Sequence, residues 1–116
     1  MTDITIYHNN RCSKSRATLA LIEDKTEQLN IVNYLQTPPT LAELNHIITL
    51  LGFTSARQLM RTGEAVYKEL QLKTEEDEAK LLQAMLDNPK LIERPIVLAN
   101  GQARIGRPPE SVLEII

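Results

Sequence analysis

The chain has 116 residues, of which 42% are hydrophobic, and a formal net charge of -2 at neutral pH. That length suits one domain with a packed core, and the slightly acidic balance argues against a general nucleic-acid binder. A single cysteine excludes an internal disulfide. No His and Cys group has metal-ligand spacing, and no apolar run is long enough to span a membrane or form a leader, so a cytoplasmic protein is expected.

Ile4 to Tyr7 alternate with a period of two and read as a strand, and His8, Asn9 and Asn10 read as the turn that follows. Ser13 to Asp24 carry Ala17, Leu19, Ala20 and Ile22 in the pattern of an amphipathic helix, which puts Cys12 at a helix N-terminus. There the unpaired amides of the first turn, the positive end of the helix dipole and Arg11, Lys14 and Arg16 all favour a thiolate. A lone cysteine is more often an inert buried residue. One placed between polar turn residues and a Ser-Lys-Ser-Arg run reads instead as a nucleophile. His8, flanking this turn, is read as an orienting or hydrogen-bonding residue rather than an acid or base, and His46 as an ordinary helix residue.

Leu29 to Leu35 form a second β-prone run, ended by Thr37-Pro38-Pro39, which completes a βαβ unit. Thr40 and Glu43 have capping-box spacing ahead of Leu44, Ile47, Ile48 and Leu51, and Gly52 supplies the stop. Ser55 starts a short helix through Arg61, Thr62-Gly63 breaks it, and Glu64 to Leu70 allow another turn or two. Thr74 is expected to cap a helix over Glu75 to Asn88 with Ala79, Leu82, Met85 and Leu86 inward and Pro89 ending it. Ile96 to Ala99 and Gln102 to Ile105, joined by Asn100-Gly101, read as a tight type I′ hairpin. Glu110 to Ile116 read as a terminal helix with Val112, Leu113 and Ile116 inward. The expected fold is therefore α/β: one domain over 1–116, a thioredoxin-like mixed sheet flanked by helices, with a helical insertion at about 40–90 between the βαβ and ββα halves.

Arginine placement is the second signal. Arg94 and Arg107 are each followed by proline, Arg61 sits at the end of a short helix, and no lysine occurs after Glu93. A guanidinium offers an oxyanion paired donors that an ammonium cannot match, so these three read as an anion clamp near the thiol, whereas Arg104 within a hairpin strand reads as a solvated charge.

Five segments taken together resemble the glutaredoxin-dependent arsenate reductases. They are the His8-Asn9-x-x-Cys12-x-x-Ser15-Arg16 turn, Tyr34 to Thr40, Leu59-Met60-Arg61, Glu93 to Val97, and Arg104 to Pro108. The resemblance covers nearly the whole chain and is that of a short chromosomal-type member. It implies that Cys12 attacks arsenate, that Arg61, Arg94 and Arg107 bind substrate and product, that His8, Ser15 and Pro95 support the site, and that Pro95 follows a cis peptide bond. It further implies no bound cofactor or metal, glutathione as co-substrate and glutaredoxin as partner. Asn10 stands where the family often has proline, Arg11 adds a charge beside the thiol, and plasmid-type enzymes continue past Ile116. The related Spx-type regulators usually carry a second cysteine where this chain has Ser15. Two other readings stay open on the residues alone: a different glutathione-linked thiol oxidoreductase on the same scaffold, and a non-catalytic Spx-like regulator.

Overall fold

The structure is a computed structural model that describes residues 3–116. Two compact units can be distinguished, Met1–Thr37 with Arg94–Ile116, and Pro38–Glu93. The second is inserted where the sequence placed its helical segment.

The first unit holds strands β1 (Ile4–His8) and β2 (Leu29–Asn33), helix α1 (Ser13–Ile22) between them, and later strands β3 (Ile96–Ala99) and β4 (Gln102–Ile105). A 3₁₀ segment, Pro109–Ile115, follows. The sheet order is β2-β1-β3-β4. β2 runs parallel to β1, with Ile6 opposite Ile31, which requires the crossover that α1 supplies. β3 runs antiparallel to β1, with Val97 opposite Ile6, and β4 antiparallel to β3. The mixed sheet with flanking helices is the expected one. Because side chains alternate along a strand, Ile4, Ile6, Val97 and Ala99 share one face, where they join Ile22 of α1 and Val112 and Ile115 of the 3₁₀ segment in the core. Full burial of each large aliphatic side chain stabilises by about 1.5–3 kcal/mol. Asn100 and Gly101 both have left-handed φ, 53° and 73°, as a type I′ turn requires. Asn100 Nδ2 also donates to Ile115 O at 2.7 Å, fastening the hairpin tip to the C-terminal segment.

Four expectations for this unit are corrected. His8 is the last residue of β1, not a turn residue, and is buried. β2 stops at Asn33 because the amides of Gln36 and Thr37 both turn back to Asn33 O, at 2.9 Å each. The inner face of α1 consists of Ser15, Thr18 and Ile22, while Ala17 and Ala20 are exposed. Ile22 and, packed against the core, Leu19 bear out part of the apolar pattern, but polar Ser15 and Thr18, with hydrogen-bond partners, fill the rest of that face in place of Ala17 and Ala20. The C-terminal segment is 3₁₀ and turns Val112 and Ile115 inward, three residues apart, leaving Leu113 39% exposed.

The second unit contains α2 (Leu41–Leu51), α3 (Ala65–Glu69) and α4 (Glu78–Asp87), with 3₁₀ turns at Ala56–Leu59, Leu72–Thr74 and Pro89–Leu91. The α2 capping box is formed, with Glu43 N donating to Thr40 Oγ1 at 3.2 Å and Thr40 N to Glu43 Oε1 at 2.9 Å, and Gly52 ends the helix at φ 76°. Thr74 does not cap α4. Its hydroxyl donates to Gln71 O within a 3₁₀ turn, and Asp77 caps instead by accepting from Ala79 N at 3.0 Å. Met85 faces inward as expected and is joined by Leu81 and Ala84, whereas Leu82 and Leu86 are half-buried and Ala79 is exposed. Met60 and Ile92 form a short antiparallel bridge, reinforced by Arg61 N to Leu91 O (2.7 Å) and Glu93 N to Leu59 O (2.8 Å). The bridge fixes the Arg61 segment alongside the Glu93 segment.

Candidate active site

The carboxyl ends of β1 and β4 and the amino end of antiparallel β3 meet at one edge of the sheet, so the loops leaving them converge. Cys12 is the N-cap residue of α1, with φ -96° and ψ 123°, and its side chain makes no capping bond. Its backbone is held from both sides, by Cys12 N to Asn9 O and by Arg16 N to Cys12 O, both at 3.0 Å. The residue is 9% exposed. Arg107 Nη2 lies 3.6 Å from Sγ, donating toward it, while Arg107 Nε donates to Arg94 O at 2.8 Å. One guanidinium therefore links the segment before β3, the segment after β4 and the thiol. Cation and helix N-terminus thus both border Sγ, a setting suited to an incoming anion.

A chain of hydrogen bonds shapes the loop. Asn9 N donates to Ser15 Oγ at 3.0 Å, Ser15 Oγ lies 2.6 Å from His8 Nδ1, and His8 Nε2 lies 3.3 Å from Asn10 Oδ1. Every link is satisfied when the Ser15 hydroxyl donates to Nδ1 and His8 carries its proton on Nε2. Both Ser15 and His8 are buried, so their partners are obligatory. Arg16 Nη1 donates to Asn10 O at 3.0 Å, and Arg11 N to Asn9 Oδ1 at 3.0 Å, an Asx turn. These interactions hold Asn10 where the family often has proline.

Both Arg94-Pro95 and Arg107-Pro108 are cis; the first was implied by the resemblance and the second was not anticipated. Gly106 N donates to Pro95 O at 2.9 Å, and a Cβ on Gly106 would collide with Thr18 Oγ1 and lie 2.8 Å from Pro95 Cγ. Glycine is thus required for α1 and the two proline segments to approach so closely.

The first unit brings together Cys12, His8, Ser15, Pro95, Arg107 and, through its carbonyl, Arg94. Arg61 belongs to the second unit. There its Nη1 donates to Glu64 Oε1 at 3.1 Å and its Nε lies 3.7 Å from Glu93 Oε1. Neither carboxylate was singled out from sequence, although Glu64 stands three residues from Arg61, a spacing that brings side chains together in a turn. Arg104, expected to be a solvated charge, donates to Ala103 O at 2.8 Å and lies 3.6 Å from Glu114 Oε2. Among the described residues no group of three or more His, Cys, Asp and Glu is placed to hold a metal, and no helix is long and apolar enough to cross a membrane.

Residues 7–115 match the model of the ArsC family. The chain is 56% identical to the uncharacterised protein YfgD of Escherichia coli K12, over 97% of this chain and 96% of that protein. It is 50% identical to the arsenate reductase of Neisseria meningitidis serogroup A, over the full length of both. The solved structure of an arsenate reductase from Vibrio cholerae superposes with a TM-score of 0.94 at 49% identity, covering 99% of this chain and 98% of that one.

Proposed function

The chain belongs to the ArsC family, and on that premise we propose that it is an arsenate reductase using Cys12 as nucleophile. The observation that carries the reading is the 3.6 Å approach of Arg107 Nη2 to Cys12 Sγ at a helix N-terminus, because it couples the attacking atom to a donor suited to an oxyanion. Arsenate bound there presents arsenic to the thiolate. The S–As bond forms, an As–O bond breaks, and the departing oxygen takes up protons and leaves as water, with arsenic still pentavalent. Reduction needs two electrons, which two external thiols supply by ending as one disulfide. Glutathione and glutaredoxin fill those roles in this proposal, and arsenite leaves as Cys12 regains its thiol. Arg94 and Arg107 are proposed as substrate ligands, and Arg61 as a third, on the strength of the family resemblance. His8, Ser15 and Pro95 act through the shape of the loop. Reliance on glutathione fits a cytoplasmic setting, where thiols stay reduced.

The test is arsenite formation from arsenate with glutathione and a glutaredoxin. Turnover that disappears in Cys12→Ser supports the reading; a parent protein that forms no arsenite under these conditions sinks it.

A further inference from the structure

A cleft of about 380 Å³ opens at the carboxyl ends of parallel strands β1 and β2, on the loop that leads to Cys12. Its volume lies in the range of small-molecule sites, and the carboxyl ends of neighbouring parallel strands are a recurrent place for ligands. The wall combines His8 at the end of β1 and Asn9, Asn10 and Arg11 from the loop after it with Asn33 at the end of β2 and Gln36 in the turn that follows, and Leu35, 45% exposed, adds an apolar surface.

The polarity of this wall is selective. Asn9 Oδ1 already accepts from Arg11 N, and Asn10 Oδ1 is engaged by His8 Nε2. With both side-chain oxygens committed within the loop, these amides have their NH₂ groups to offer a ligand. Arg11 adds a guanidinium, and among the described residues no carboxylate lines the cleft. A ligand that fits supplies acceptors: carboxylates for Arg11 and peptide carbonyls for the asparagines.

The chemistry at Cys12 requires such a visitor. With one cysteine in the chain, the thiol-arsenate adduct can be resolved only by a thiol from outside. We propose that this cleft is the docking site of the thiol co-substrate, an anionic peptide thiol of the glutathione class, with Arg11 recognising a terminal carboxylate and Asn33 and Gln36 contacting its peptide groups. This inference rests on the arsenate-reductase reading. Arg11 directly precedes Cys12, and an extended tripeptide spans on the order of 10 Å, so a thiol held by its carboxylate at Arg11 has the length to reach the adduct.

The experiment pairs steady-state kinetics with a titration by S-methylglutathione, which has the shape and charges of glutathione but no free thiol. In the parent protein, S-methylglutathione should shift the amide signals of residues 9–11, 33 and 36. Arg11→Gln and Gln36→Ala should raise the KM for glutathione, the former by about tenfold or more, as for loss of a charge-assisted bond. In Gln36→Ala, KM for arsenate, kcat at saturating glutathione, and the rate of Cys12 alkylation by neutral iodoacetamide should each stay within about twofold, the range of ordinary surface substitutions. With 2-mercaptoethanol, which lacks carboxylates, Gln36→Ala should turn over like the parent, and Arg11→Gln, which also removes a charge beside the thiol, should lose more of its glutathione-supported than of its 2-mercaptoethanol-supported kcat/KM. If both variants keep the parental KM for glutathione while arsenate is still reduced, the docking site is wrong and the enzymatic reading stands. An equal rise in KM for arsenate also overturns it, by assigning Arg11 to the oxyanion. A parent that reduces no arsenate defeats the earlier reading, and the S-methylglutathione titration then decides the cleft alone: shifts at these amides support it, and shifts elsewhere or none refute it.

Discussion

Replacing guanidinium with ammonium keeps a charge but removes the fork of donors, and at Arg107 that fork spans Arg94 O and Cys12 Sγ. Arg107→Lys should weaken the protection that arsenate or phosphate gives Cys12 against alkylation by roughly 1–3 kcal/mol, the range for charge-assisted bonds. Arg104→Lys disturbs a half-exposed pair with Glu114 and a bond to the neighbouring Ala103 O, neither near the thiol, so anion binding should stay within about 0.5 kcal/mol of the parent and stability within about 1 kcal/mol. Equal behaviour of the two variants would remove Arg107 from the anion site. Arg61 starts from a different position, since Glu64 and Glu93 already occupy its surroundings. An oxyanion bound by Arg61 displaces Glu64, and Glu64→Gln should therefore tighten phosphate binding by up to about fivefold, the worth of an exposed ion pair. Unchanged binding in a calorimetric titration would leave Arg61 a structural role. Ser15→Ala strips a buried hydroxyl from between Asn9 N and His8 Nδ1. Leaving those groups unsatisfied should cost about 1–3 kcal/mol in chemical denaturation, and a neutral result would contradict the hydrogen-bond chain.

Among the elements, α4 separates two accounts of where a helix begins. Asp77→Ala removes the cap seen in the structure and should destabilise by about 1 kcal/mol, whereas Thr74→Ala loses only one exposed bond in a 3₁₀ turn and should cost less; the opposite order would restore Thr74 as the cap. Thr74 shows why sequence alone misjudged the boundary, since its capping chemistry is real but is spent on another turn. Elements whose signals were local and unopposed could be read directly. The period-two strands, the Asn100-Gly101 hairpin and both ends of α2 are of this kind. The inner face of α1 was not, because Ser15 and Thr18 are buried for their hydrogen bonds and an apolar pattern cannot register them. Cys12 and its loop stood out by residue type and spacing. Arg107 was expected near the thiol, but the contact itself could not be read, since side chains 95 positions apart in the chain are brought together by the strand order. Glu93 beside Arg61 was hidden for the same reason, its alignment depending on the Met60–Ile92 bridge, whereas Glu64, three residues from Arg61, lay within reach of a spacing argument.

For the molecule as a whole, one thiol sets the stoichiometry. Incubation with arsenate and no external thiol should load at most one arsenic per chain and release no arsenite, and mass spectrometry is the direct check; arsenite release under those conditions would require another reductant. That same thiol occupies the N-cap of α1 with extended backbone and no capping bond. A serine there could accept from the first-turn amides that the sulfur leaves without a cap, a gain of up to about 1 kcal/mol. The inactive Cys12→Ser protein should accordingly melt a few degrees above the active one. Selection for stability alone would drive this position toward a hydroxyl or a carboxylate. Its occupation by sulfur marks a trade in which the fold gives up some thermal resistance to keep a reactive atom at the head of its first helix.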